Sequence, residues 1–118
     1  FMDLTPFTFL IPAVCIVFGA LFLWHPPKDI NGLYGYRTSR SMKNEDTWAF
    51  AHAVCGKIWL IMGLVMLAVL GLALLLFREQ YAEASLYIQI SQDVLLILSF
   101  FPVEKALKDT FDENGKRK

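Results

Sequence analysis

Two long apolar runs without a charge, and a third that polar residues interrupt, dominate the chain. The first covers residues 7–24 and the second residues 58–77. Each is about as long as an α-helix must be to cross the hydrocarbon core of a bilayer. The third run, residues 87–103, contains Gln89, Gln92 and Asp93. Beside two clear spans it is interpreted as a third span whose polar side chains face protein.

The segment between the first two spans contains a signal that stops one helix and a signal that starts the next. The Pro26-Pro27 pair ends the first helix, because proline cannot continue a helix and restrains the residue before it. Ser41 or Asn44 can cap a new helix, and the acidic residues that follow suit its positive end. Only isolated glycines interrupt the pattern from there to residue 77. The sequence therefore predicts one long second helix that extends out of the membrane.

These patterns predict an all-α fold, an integral membrane bundle of three transmembrane helices. We expect residues 1–118 to form a single membrane domain, with spans at about 4–24, 54–77 and 86–104. A loop over residues 25–53 would contain the cytoplasmic start of the second helix. A cleaved signal peptide is the weaker interpretation of the first run, because no basic region precedes it and its apolar stretch is too long. Met2 is the expected natural start.

Positive charges outside the predicted spans alternate from one segment to the next. The N-terminal stub has no Lys or Arg, the first loop has four, a second loop at about 78–86 has one, and the C-terminal tail has five. This is the positive-inside pattern of a membrane protein with its N-terminus outside and its C-terminus in the cytoplasm. Both large polar segments are therefore expected on the cytoplasmic side.

The composition is typical of a membrane protein and disfavours several classes of function. Hydrophobic residues make up 56% of the 118 residues and charged residues 19%, whereas soluble domains are closer to about 45–50% and 25%. A net charge of zero disfavours direct binding of nucleic acid. The sequence contains no nucleophile–base pair, phosphate-binding glycine loop or cluster of metal ligands. We therefore expect no enzyme activity, no cofactor and no metal site.

The most specific string lies in the first loop. It reads Asn-Gly-Leu-Tyr-Gly-Tyr-Arg-Thr-Ser-Arg-Ser-Met-Lys-Asn over residues 31–44, and Thr47-Trp48 and Phe50-Ala51-His52 follow it. This string resembles the signature of the SdpI/YfhL family of small bacterial membrane proteins. Ser39 and His52 depart from the proline and asparagine that are common there. Longer members have about twice as many spans, so the chain resembles their C-terminal half or the short YfhL-like members.

The resemblance implies immunity to a secreted peptide toxin, together with signalling in which the cytoplasmic face captures a transcriptional repressor. The candidate residues for binding a partner are those of the motif: Asn31, Gly32, Gly35, Tyr36, Arg37, Thr38, Arg40, Ser41, Lys43, Asn44 and Trp48.

Elementary chemistry leaves the role of the motif open. Its glycines free the backbone for positive φ or close approach. Arg37, Arg40 and Lys43 could bind anionic headgroups, a phosphate or an acidic peptide segment, or could simply anchor the topology. We expect residues 35–38 to fold back against the cytoplasmic ends of the spans. Arg37 would then be partly desolvated, with helix carbonyls, Glu104 or a bound anion as its acceptors.

Polar residues in the third span are expected to face the bundle. Gln89 and Gln92 share one helical face with two serines, and Asp93 flanks it. A carboxylate at this depth is costly, so Asp93 is predicted to point inward. It could serve a toxin-binding pocket or a proton site, or could pack the bundle as a hydrogen-bonded group.

Two further contacts are predicted from depth and from residue size. Lys57 and Glu104 lie at the same level at the inner edge of antiparallel helices, so we predict an ion pair between them, although either could reach the interface instead. Gly56, Gly63 and Gly71 are expected to serve helix packing.

Three functions remain open at this point. The first is an immunity protein that binds an amphipathic peptide toxin, or the target of that toxin, within the membrane. The second is a small transporter or channel, a homo-oligomer in which Asp93 and the glutamines line a path. The third is an accessory protein that binds membrane lipids through its basic loop.

Overall fold

The computed structural model describes residues 3–30 and 35–118. A 3-10 turn over Thr5–Phe9 leads into helix α1, Leu10–Trp24. Helix α2 covers Glu45–Leu76, α3 covers Arg78–Leu98 and α4 covers Phe100–Thr110. In the described ranges the one β pairing is an isolated bridge between Phe111 and Arg117. The prediction of an all-α fold is confirmed.

Three helical stretches are long and apolar enough to cross a membrane: Thr5–Trp24, Glu45–Leu76 and Arg78–Thr110. Their outer faces keep large apolar side chains uncovered, with Leu75 79% and Tyr87 72% exposed. Such exposure would be unfavourable in water but suits contact with lipid hydrocarbon. The prediction of three spans is therefore confirmed.

Helix α2 starts where the sequence predicts and continues without a break. Asn44 is its N-cap: the Asn44 side chain accepts the backbone N–H of Thr47, and the Thr47 hydroxyl accepts the N–H of Asn44. This reciprocal pair satisfies two N–H groups that would otherwise lack helical partners. Glu45 and Asp46 in the first turn favour the same start through the helix dipole.

The predicted second loop, residues 78–86, is wrong because that segment is helical. Phe77 is the single non-helical residue between α2 and α3. Glutamate, glutamine and alanine in this stretch are good helix formers, so its polarity marks an exposed helical end instead of a loop. The helix breaks later, at Ser99, because Pro102 lacks the N–H that the carbonyl of Leu98 would need and its ring crowds that carbonyl. The third span is thus longer than predicted.

Small residues allow α1 and α2 to pack closely. A Cβ placed on Gly19 would lie 2.6 Å from the backbone nitrogen of Leu60 and 2.9 Å from the carbonyl oxygen of Gly56. Gly63 similarly meets the α1 backbone at 3.0 Å. Gly71, by contrast, has nothing within 4 Å, so its predicted packing role is wrong. It is rotated by about 80° from Gly63 around the axis of α2, which turns it away from α1.

The antiparallel helices give the bundle two different ends. Residues 35–44, named here the motif loop, and the C-terminal segment 111–118 lie at one end, the motif end. The Thr5–Phe9 turn and Phe77 lie at the other, the turn end. At the turn end Ser85 Oγ accepts the N–H of Leu4 at 2.8 Å, and Tyr81 and Thr8 share a hydrogen bond. These contacts attach the start of α3 to the N-terminal turn.

Candidate functional site

The motif loop folds onto the helix ends through Tyr36, whose side chain is buried at 4% exposure. The backbone N–H of Tyr36 donates to His52 Nε2 at 2.8 Å, and its hydroxyl donates to Glu104 Oε1 at 2.9 Å. Tyr36 therefore joins the loop to both α2 and α4. The prediction that residues 35–38 fold back against the ends of the spans is confirmed. Burial, and then the Glu104 carboxylate, raise the pKa of the Tyr36 phenol well above its usual value, so the hydroxyl remains a donor.

His52 is the buried junction of the site, with no exposed surface. Its Nδ1 lies 2.7 Å from the carbonyl oxygen of Trp48, which can only accept, so Nδ1 carries the proton. Its Nε2 accepts from Tyr36 and is therefore unprotonated. The ring also packs edge-on against Phe22 at 4.8 Å between centroids. A neutral imidazole thus connects α1, the loop and α2.

A chain of hydrogen bonds connects the polar residues of the motif and explains why they stand in this order. Ser41 Oγ donates to the carbonyl of Tyr36 at 2.8 Å and accepts the N–H of Thr38 at 2.9 Å. The N–H of Ser41 in turn donates to Thr38 Oγ1 at 3.2 Å. Thr47 then donates its hydroxyl hydrogen to the carbonyl of Ser41. Ser41 therefore shapes the loop, and the N-cap position belongs to Asn44.

Trp48 is a buried part of this framework, with 1% of its surface exposed. Its indole N–H donates to the carbonyl of Pro27 at 2.8 Å, which holds the proline pair against α2.

Asn31 and Gly32, two of the predicted motif residues, lie outside the described residues.

The predicted ion pair between Lys57 and Glu104 is wrong. Glu104 instead accepts from Tyr36 and lies 3.6 Å from the Nε of Arg40. Lys57 is exposed and sits about 200° around α2 from the fully buried Cys55, on the outer face of the helix. Rotation around the helix axis therefore decides which side chains meet.

The two arginines of the motif have different surroundings. Arg37, which was predicted to be partly desolvated, is exposed, because the inward direction of Tyr36 leaves its neighbour on the outside. Arg40 lies beside Glu104, which was one of the three acceptors expected for Arg37. Arg37 instead borders an open groove of about 350 Å³, named here the aromatic groove, which it shares with Tyr36 and Thr38. Phe22, Trp59 and Phe100 form its apolar wall.

The C-terminal segment closes over the start of α2, a contact that the sequence analysis missed. Arg117 donates two hydrogen bonds to the Asp46 carboxylate, each 2.9 Å, and its guanidinium lies 5.1 Å from the ring centre of Phe111. Asn44 Nδ2 donates to the carbonyl of Gly115 at 2.6 Å, and Lys43 Nζ donates to that of Glu113. Lys43 and Asn44 of the motif therefore hold the tail. The bound Asp46 carboxylate raises the pKa of Arg117 further.

Inside the spans, the polar face of α3 is oriented largely as predicted. Gln92 is buried and its Nε2 donates to the carbonyl of Thr8 at 2.7 Å. Gln89 is partly buried and donates to Asp93 Oδ1 at 3.2 Å. Asp93, however, is exposed on the outer surface, so its predicted inward direction is wrong. It lies about 100° around the helix from Gln92, the centre of the buried face.

The ionisable residues do not converge in the way that a metal centre requires. Within residues 3–30 and 35–118 no three His, Cys, Asp or Glu side chains are placed to hold a metal ion. The hydrogen bonds of His52 are used within the protein. The motif end presents exposed cations beside the aromatic groove.

Comparison with known proteins agrees with this geometry. A family model described as the SdpI/YfhL protein family matches residues 28–103, which include the motif loop, α2 and α3. The chain is 36% identical over 107 residues to "Uncharacterized protein YfhL" of Bacillus subtilis (strain 168), and the match covers 86% of this chain and 87% of that protein. No solved structure matches the chain. With its three spans and its folded motif, this protein belongs to the SdpI/YfhL family of membrane proteins.

Proposed function

We propose that this protein protects a bacterial cell against a membrane-active peptide toxin. The observation that carries the proposal is the family match over residues 28–103, because resemblance to the SdpI/YfhL family implies immunity to a peptide toxin. The buried contacts of Tyr36 and His52 support a role beyond anchoring. Positive-inside anchoring requires only charge, whereas this motif uses a defined order of side chains.

We propose further that the protein lies in the inner membrane with its turn end outside and its motif end in the cytoplasm. The alternation of Lys and Arg along the chain supports this orientation. Cysteines introduced at Ser39 and Gln80 test it, since the native Cys15 and Cys55 are fully buried. A membrane-impermeant thiol reagent should label position 80 in intact cells and position 39 only after lysis. Labelling of position 39 in intact cells would reverse the orientation.

In this arrangement the two ends have different tasks. An amphipathic peptide would bind at the turn end and at the outer half of the spans. A cytoplasmic repressor would bind in the aromatic groove at the motif end. Arg37 at the border of this groove offers a planar cation to an acidic or carbonyl-bearing segment of that partner. Helix α2 runs from Asn44 to the turn end and so connects the two surfaces.

Challenge of cells with and without the gene, using a panel of synthetic amphipathic peptides, tests the resistance. Cells that carry the gene should survive at least one peptide that kills the deletion strain; equal survival against the whole panel would refute the proposal. Arg37→Lys keeps the charge but loses the planar fork. It should abolish the transcriptional response to the peptide, whereas Lys57→Arg, the reverse exchange at an exposed position outside the aromatic groove, should leave the response intact.

A second candidate function, a homo-oligomeric channel or transporter, is favoured by one observation. Asp93 lies exposed on α3 together with apolar neighbours such as Ile90 and Val94. A carboxylate facing lipid costs about 2.5–3.5 kcal/mol on insertion scales, and contact with a second copy would cover it. Ion flux through proteoliposomes that Asp93→Leu abolishes and Asp93→Asn retains would establish this function. Protection against the peptide without any flux would exclude it.

A further inference from the structure

One face of the third span changes from apolar to basic as it approaches the motif end. Leu98 is 48% and Phe101 66% exposed, and Lys105 and Lys108 follow them. Phe101, Lys105 and Lys108 are separated by four and three residues, so they form one stripe along α4. From Phe101 to Lys108 the stripe is about 10 Å long at 1.5 Å per residue, and Leu98 lies just before it, at the end of α3. Its apolar half continues the membrane-facing surface and its basic half leaves it.

An open groove of about 590 Å³ lies beside this stripe and brings a third cation to it. The groove is lined by Arg40, Phe101, Pro102, Glu104, Lys105 and Lys108. Its single carboxylate, Glu104, is already engaged by the Tyr36 hydroxyl and by Arg40. The ion pairs within the described part of the chain involve neither Lys105 nor Lys108. The groove therefore contains an excess of positive charge.

We propose that this groove binds the phosphate of an anionic phospholipid, with an acyl chain along Leu98 and Phe101. A guanidinium and two ammonium groups provide charge-assisted donors for phosphate oxygens. Lipid is the favoured source of the phosphate, because the apolar half of the stripe would have no role with a free anion. The neighbouring groove, which shares Arg40 and Lys108, also contains Lys43 and Lys118 beside Asp112 and Glu113, but Phe111 is its one apolar lining residue, so it offers an acyl chain less surface.

This lipid site would fix the depth and rotation of α4, the helix that supplies Glu104 to Tyr36. The lipid site is a separate proposal from the resistance, because Phe101, Lys105 and Lys108 lie outside the aromatic groove.

Native mass spectrometry of the full chain in micelles, titrated with phosphatidylglycerol or phosphatidylcholine, tests the site. Lys105→Gln with Lys108→Gln should weaken phosphatidylglycerol binding by about 30-fold, since each basic residue near a membrane surface contributes about 1 kcal/mol. The matched control, Lys28→Gln with Lys57→Gln, removes two exposed cations outside the groove. It should change binding by less than about threefold.

Several outcomes would overturn the proposal. Equal loss in both double variants would mean that only the total charge matters. Equal binding of phosphatidylcholine would remove the role of the anion. Competition by millimolar inorganic phosphate as effective as that by phosphatidylglycerol would identify a free-anion site, and equal competition by a polyglutamate peptide would identify a protein partner.

Discussion

Gly35→Ala is the sharpest test of the motif, because the backbone and the surroundings of this residue both exclude a side chain. Gly35 has φ +116°, a conformation that residues with a Cβ rarely adopt. A Cβ built there lies 2.6 Å from His52 Nε2, 3.0 Å from a ring carbon of Trp48 and 3.1 Å from Pro27 Cγ. The nearest atom is the acceptor of the Tyr36 N–H. The substitution should therefore push the imidazole away from its hydrogen bond.

The expected cost follows from two contributions. Holding a non-glycine residue in a sparsely populated backbone region costs about 1–3 kcal/mol. Leaving the buried N–H of Tyr36 without its acceptor costs about 1–3 kcal/mol more. The His52 ring cannot move freely, because its Nδ1 donates to the carbonyl of Trp48 and the ring packs edge-on against Phe22. We expect the loop to open locally with a total loss of about 2–6 kcal/mol.

Hydrogen exchange of the Tyr36 amide measures this local opening directly, and detergent titration measures the free energy of unfolding of the spans. In Gly35→Ala the Tyr36 amide should lose its protection while the three spans stay folded, and resistance to the toxin should be lost. Gly71→Ala is the matched control, since its Cβ meets nothing within 4 Å. Unchanged exchange at Tyr36 together with intact resistance in Gly35→Ala would refute the reasoning.

Three other perturbations test separate parts of the fold. Gly19→Ala should lower the free energy of unfolding by about 1–3 kcal/mol relative to Gly71→Ala, because its Cβ meets backbone atoms of α2; equal stability in the detergent titration would contradict the close crossing. Folding raises the phenol pKa of Tyr36, so the stabilisation by its hydroxyl is present below the unfolded pKa of about 10 and is lost as the pH rises above that value. The protection of the wild-type motif amides, relative to an unfolded chain, should therefore fall above that pH. Tyr36→Phe should remove this fall in protection, and identical pH profiles of protection would exclude the role of the hydroxyl. Arg117→Ala removes the paired hydrogen bonds to Asp46 and should increase hydrogen exchange in residues 111–118 alone, so an equal increase along α2 would mean that the tail supports the whole motif end.

The span positions could be predicted because the bilayer imposes a length on apolar helices. Residues 7–24 and 58–77 meet that length without a charge. The start of α2 was equally accessible, since Asn44 and the acidic residues after it are local signals that act within one turn. The prediction of a loop over residues 78–86 relied on the polarity of this segment. It was wrong because a polar segment with high helix propensity can form the exposed end of a helix.

The partners in the candidate site could not be predicted, because they come from distant parts of the chain. Tyr36 meets Glu104 from 68 residues away, and Asp46 meets Arg117 from 71 residues away. His52 was visible only as a departure from a family pattern, although its place one turn after Trp48 was a signal that it shares the face of that buried tryptophan. Periodicity alone does not say which of two polar faces is covered.

The number of spanning helices and the start of α2 thus follow from local signals, because hydrocarbon thickness and helix capping each act within one segment. The rotation of each helix about its axis depends on contacts between distant segments. That rotation placed Gln92 inside and Asp93 outside, and it brought Arg40 instead of Lys57 to Glu104. The physical reason is that helical periodicity sets only the angles between side chains on one helix, whereas close packing against its neighbours sets the inward direction.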